Sequence, residues 1–131
     1  MEFETVFFHA HSGLRYLVLL AGLMAFLYTL IAALRSRPWD RGGRILVSVF
    51  AGLLDLQILL GVILAFVWRF YPALWGHLTM MLLAAAAVHG ASIINRRRPP
   101  ERASHMTAAL GTAGALILIV GGIAAIQRSI L

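Results

Sequence analysis

The chain contains no cysteine and no lysine, and only five of its 131 residues are acidic. Without cysteine there is no disulfide scaffold, no thiolate metal site and no thiol catalysis. Without lysine, all eleven basic residues are arginine. Proline is scarce as well, and Pro38, Pro72, Pro99 and Pro100 all lie between the long apolar runs rather than inside them. What fills the sequence instead is apolar: 61% of the residues are hydrophobic, and the mean hydropathy is +0.89. A water-soluble core cannot hide that much apolar surface in so short a chain. Four hydrophobic segments, at about 12–34, 45–68, 74–95 and 105–127, each reach the roughly 20 residues that cross a bilayer. The expectation is an all-α integral membrane protein, a four-helix up-down-up-down bundle making one transmembrane domain over residues 1–131. The start, Met1-Glu2-Phe3-Glu4, is acidic where a secretory signal is basic, so the first span is read as retained.

The arginines set the expected orientation. Arg35, Arg37, Arg41 and Arg44 fill the first loop, and Arg96, Arg97, Arg98 and Arg102 fill the third. The opposite side has Glu2 and Glu4 with only Arg69 and Arg128. By the positive-inside rule both Arg-rich loops are cytoplasmic, which places both termini outside. The net charge of +6 is then topology. It reads as contact with anionic lipid and not as a nucleic-acid surface, because the basic runs lack interleaved aromatics.

The run from Trp75 to His89 is the most informative stretch: an apolar helix former with an imidazole near each end, His77 and His89, and four alanines between, Ala84 to Ala87. An uncompensated polar group in hydrocarbon costs roughly 2–7 kcal/mol, so each imidazole needs a partner. Twelve residues of helix separate them by about 18 Å along the axis and about 120° around it, so they serve different depths. The alanine tract leaves a shallow groove around Ala84, which suits either a flat cofactor or close helix packing.

Residues 1–11 read as an interfacial lead-in with Phe3, Phe7 and Phe8 near the headgroups, ending in His9-Ala10-His11. In a helix the two imidazoles diverge by about 200°, so only one points inward. His11 is the choice, because Arg15 at i+4 and Gly22 at i+11 share its face. Arg15 either faces the bundle interior or snorkels to the headgroups. Asp55 and Gln57 lie near the middle of the second span, and a carboxylate there marks a functional site by default. Counted from the cytoplasmic side, Asp55 is about 15 Å deep and His89 about 9 Å, close enough to meet. A buried, hydrogen-bonded Asp55–His89 pair is expected. His105, at the start of the fourth span, is expected to be an exposed interfacial imidazole. Phe66, Trp68, Phe70, Tyr71 and Trp75 form an aromatic belt, with Pro72 turning the chain.

The chemistry therefore gathers at an outer cluster of His9, His11, Arg15 and His77 and a weaker inner set of Asp55, His89 and His105. Helices 1 and 3 of an up-down bundle are diagonal. Imidazoles from them at one depth suit heme b as axial ligands, with Arg15 on a propionate. Copper or zinc is the alternative, with Met80 and Met81 as soft copper ligands.

The runs His9-Ala10-His11-Ser12-Gly13-Leu14-Arg15-Tyr16, Leu56-Gln57-Ile58-Leu59-Leu60-Gly61 and Gly76-His77-Leu78-Thr79-Met80-Met81 resemble a group of small four-helix bacterial membrane proteins known as cytochrome b. More distantly, the Gln57-x-x-x-Gly61 pattern is similar to one half of heme A synthase. The resemblance implies His11 and His77 as the axial pair with Arg15 beside them, in a bacterial inner (cytoplasmic) membrane. Asp55 departs from it, since those small proteins tend to carry histidine before the Leu-Gln pair. The expected function is a b-type cytochrome for electron transfer or heme handling, with a redox protein or quinone as partner. Its expected site residues are His11, His77, Arg15, Gly22, Met81 and Ala84. The competing readings are a metal-ion or proton-coupled transporter using Asp55 and His89, or a structural subunit of a larger complex or homo-oligomer. A stand-alone enzyme ranks below both.

Overall fold

A computed structural model describes the backbone of residues 2–67, 73–99 and 104–130, and side chains over 9–66, 75–99 and 104–124. It consists of four helices: α1 (Glu2–Leu34), α2 (Arg41–Val67), α3 (Ala73–Arg97) and α4 (His105–Ile130). All four are long and apolar enough to cross a membrane, over His9–Leu34, Arg41–Phe66, Trp75–Arg97 and His105–Ala124. These spans lie within about four residues of those read from hydropathy, a scatter usual for helix ends. The chain is a multi-pass membrane bundle.

Two boundaries depart from the sequence reading. Residues 2–11 are helical and continuous with the first span, since nothing among them breaks a helix and acidic residues at positions 2 and 4 suit the positive end of its dipole. Arg41 to Arg44 are likewise the first turn of α2 instead of loop. Of the aromatic belt, Phe66 and Trp75 are exposed, 86% and 64%. Trp68, Phe70, Tyr71 and the Pro72 turn lie outside the described residues, as do Arg69, Glu101 and Arg102 and the side chains of Phe3, Phe7, Phe8 and Arg128.

The connections are built by local hydrogen bonds. α1 ends with Arg37 N–H donating to Ala32 O at 2.9 Å and Ser36 N–H to Ala33 O at 3.0 Å. This is the paired closure of a Schellman cap, and Ser36 takes the left-handed position (φ 55°) usually given to glycine. Asp40 caps α2 by accepting from Gly43 N–H at 2.8 Å. Ser104 caps α4 by accepting from Thr107 N–H at 3.1 Å. Asn95, near the end of α3, clasps the Ser104 backbone from both sides, each bond 3.0 Å.

α1 packs on α2 and α4, and α3 packs closely on α4 but less closely on α2. Among the described residues no Cα of α1 comes within 8 Å of one in α3, so these two helices are the wide diagonal. The core is built from Val18, Ala25, Val47, Phe50, Leu54, Met81, Ala84, Val88, Ala115 and Ile119. Large side chains such as Leu34, Leu110 and Ile117 are instead about 70% exposed, which suits a solvent of lipid tails. The alanine tract and α4 pack through small residues. A Cβ at Gly111 would collide with Ala91 and lie 3.1 Å from Ala87 O. The groove is thus filled by a neighbouring helix, and room for a flat cofactor there is not found.

Candidate functional site

The bundle end that carries the N- and C-termini brings one residue set together from all four helices. On α1, His9 is exposed and His11 half-buried, so His11 is the imidazole turned toward the bundle. Its position is fixed by α2. Gln57 Nε2 donates to the His11 backbone oxygen at 2.8 Å. One turn on, Gly61 leaves the space in which the His11 ring lies, and a Cβ there would be 3.1 Å from His11 Cε1. Gln57 and Gly61 are four residues apart and so share one helix face. The spacing was visible in the sequence, but the His11 partnership was not.

On α3, His77 Nδ1 lies 3.1 Å from the carbonyl oxygen of Gly122 on α4. A carbonyl only accepts, so the ring donates from Nδ1 and, when neutral, keeps its lone pair on Nε2. Met81, one turn along the His77 face, is buried with its methyl against Gly122, where a Cβ would lie 2.7 Å away. No periodicity in the sequence pointed to Gly122, whose acceptor is a backbone atom.

Arg15 is half-buried on the His11 side of α1, with its guanidinium 5.0 Å from the centre of the Tyr16 ring and 3.2 Å from the Tyr16 hydroxyl. Arg15 is within electrostatic reach of both His11 and His77, and His77 within that of His11. Two buried polar atoms at this end, His11 Nδ1 and Gln57 Oε1, have no hydrogen-bond partner among the described residues. Buried polar groups are satisfied in the great majority of cases, which marks both atoms as places for a further group or water.

The site does not extend deeper. Gly22 was expected on the cofactor face, but a Cβ there would lie 2.7 Å from Leu116 Cδ2 and 2.8 Å from Phe50 Cε1. Those side chains already fill the space, and Gly22 is a packing glycine. Ala84 is fully buried in the hydrophobic core.

The inner residues divide. His89 Nε2 meets Asp55 Oδ2 at 2.8 Å and Oδ1 at 3.0 Å, so the expected partnership forms. It is not buried: the two side chains are 46% and 50% exposed. Leu54 and Val88 take the inward positions at this level, and the next residue on each helix is turned about 100° away, onto the outer α2–α3 seam. His105 also differs from expectation: it stands at the boundary of the fourth span but is buried (1% exposed). Its Nε2 donates to Pro38 O at 3.0 Å, and its ring meets Trp39 and Tyr28 edge-on at 5.0 and 5.8 Å. The first loop folds over it, which no residue pattern in the chain signals. His89 and His105 are each engaged elsewhere and form no pair.

Asp40 completes that loop cluster, accepting from the Tyr28 hydroxyl at 2.9 Å. The Gly43 N–H, then the Tyr28 bond and the charges of His105 and Arg37, outweigh desolvation and hold its carboxyl below the usual range.

Among the described residues, no three His, Asp or Glu side chains gather where they could share a metal ion. Compared with protein-family models, curated proteins and solved structures, the chain matches none.

Proposed function

We propose that the protein is a membrane b-type cytochrome in which His11 and His77 hold one heme b at the terminal end of the bundle, for electron transfer or heme handling. The observation that carries this reading is the His77–Gly122 hydrogen bond. Metal-ligating imidazoles characteristically donate their remote N–H to a carbonyl or carboxylate, which leaves the other nitrogen as the ligand. His11 lies on the diagonal helix, is turned inward, and is within electrostatic reach of His77. Arg15 supplies a cation that acts on both rings and would pair with a propionate. The two atoms lacking partners among the described residues, His11 Nδ1 and Gln57 Oε1, also fit an end of the bundle made to receive a further group. Bound there, heme would supply one-electron chemistry at a potential tuned by its two imidazoles. Structural zinc takes four ligands and catalytic zinc typically three from the protein, whereas a six-coordinate heme asks the protein for two.

With the Arg-rich loops cytoplasmic, the site would lie near the outer face of a bacterial cytoplasmic membrane, open to a redox protein or a quinone. The loop arginines would meet anionic lipid. The test is the absorption spectrum of the protein purified in detergent. A Soret band that shifts on dithionite, with one heme per chain by pyridine hemochrome, is expected. A colourless protein, one that binds copper instead, or one with two hemes per chain would overturn the proposal.

A further inference from the structure

The Asp55–His89 pair stands at a depth where a membrane protein can least leave it open. Asp55 is about 21 Å along α2 from Arg41 and His89 about 12 Å from Arg97, so both lie in the middle part of their spans. Yet about half of each side chain is uncovered by the bundle. Paired or not, carboxylate and imidazole atoms facing hydrocarbon are costly, and such residues nearly always face a protein interior or a cavity. The surface around the pair is small as well as polar. Ser48, Gly52 and Ala86 are exposed there. Cβ atoms built on Gly52 and Gly90 would meet nothing within 4 Å. Small residues beside a polar group are what lets a further helix approach closely and hydrogen-bond in a membrane.

We infer that a second copy of this chain covers the α2–α3 seam, giving a two-fold dimer in which the Asp55–His89 pair of each copy meets that of the other. Two copies inserted with the same topology are related by an axis along the membrane normal, and rotation about that axis leaves depth unchanged. Asp55 and His89 already lie level, because they bond one another. Each carboxylate, with acceptor capacity to spare, is then at the height of the other copy's imidazole, whose Nδ1 is available. The surface is self-complementary, as a two-fold interface must be. An unrelated helix would have to carry matched polar groups at that one depth.

The absence of cysteine makes the test clean. Single Ser48→Cys and Ala86→Cys variants of the full chain, in their native membrane, are treated with a short bis-maleimide and resolved by mass. Both are expected to shift from 14.3 kDa to twice that mass, while Ile117→Cys, exposed on α4, is not. Adding Asp55→Leu with His89→Leu to Ser48→Cys is expected to return the protein to the monomer. That change suits a lipid-facing surface, so insertion and helix content should persist, and circular dichroism checks this. The inference is overturned if neither seam cysteine yields the dimer, if Ile117→Cys cross-links equally, if the product has another mass, or if the folded leucine variant still cross-links fully.

Discussion

His77 Nδ1 is held 3.1 Å from the carbonyl oxygen of Gly122, so α4 fixes both the rotation of the α3 imidazole and the nitrogen on which its lone pair sits. The rest of the site follows from similar backbone attachments. Gln57 ties α2 to the His11 carbonyl, and Gly61 gives the His11 ring its space. A group bound between α1 and α3 would therefore meet rings already oriented by α2 and α4.

The first prediction separates the two histidines of α3. His77→Ala should abolish heme retention, and with the heme the Soret band, because one imidazole leaves iron five-coordinate and the site open to lipid and water. His89→Ala should retain the band, since His89 faces the outer seam. Equal loss of heme per folded protein in the two variants would place the site at the wrong level.

The second prediction concerns α1. His11→Ala should bleach the protein and His9→Ala should not, because only His11 is turned inward. Gly61→Leu should act like His11→Ala, since its side chain would take the space of the His11 ring. The readout is heme per folded chain by pyridine hemochrome, with circular dichroism confirming that each variant folds.

Much of this was legible in the sequence where one residue type decides the matter. Four apolar runs gave four spans, and opposite helical phases separated His9 from His11. Depth counting brought Asp55 and His89 together. What it could not supply was rotation about each helix axis. A turn of about 100° puts Leu54 and Val88 inside and leaves Asp55 and His89 on the seam. Hydropathy does not register that turn in helices apolar on every side. The backbone acceptors were also invisible, because Gly122 and Pro38 act through carbonyls that every residue has. His105 looked exposed from its place at the start of a span, and only the fold of the first loop over it shows that it is buried.

The third prediction uses the first loop. Asp40 is both the cap of α2 and the acceptor for Tyr28. Asp40→Ala should destabilise the bundle by about 1 kcal/mol, the usual worth of such a cap. Its carboxyl is held below the usual range in the folded protein. Its contribution is therefore fully present above the unfolded value, near pH 4, and is lost as pH falls through the lower folded value. Asp40→Asn keeps a cap acceptor but cannot titrate. The stability difference between wild type and Asp40→Asn should be constant at neutral pH and shrink only below about pH 4. A difference that does not change with acidification would show that the cap does not depend on the charge.

The last prediction distinguishes packing from ligand binding at Gly22. A methyl group there would meet the end of Leu116 at 2.7 Å and the edge of Phe50 at 2.8 Å, contacts too close to keep. Both side chains would have to move within a core whose buried members include Val18, Phe50 and Ala115. Overpacking of this kind typically costs about 1–3 kcal/mol. Gly22→Ala should lower thermal stability accordingly, while the protein that remains folded keeps its full heme content and an unchanged Soret maximum. Gly22 lies eleven residues from His11, about 16 Å further along α1, and Leu116 and Phe50 occupy the space beside it. A shifted Soret maximum with unchanged stability would mean that the bound group reaches down to Gly22, and that Phe50 and Leu116 yield their places to it.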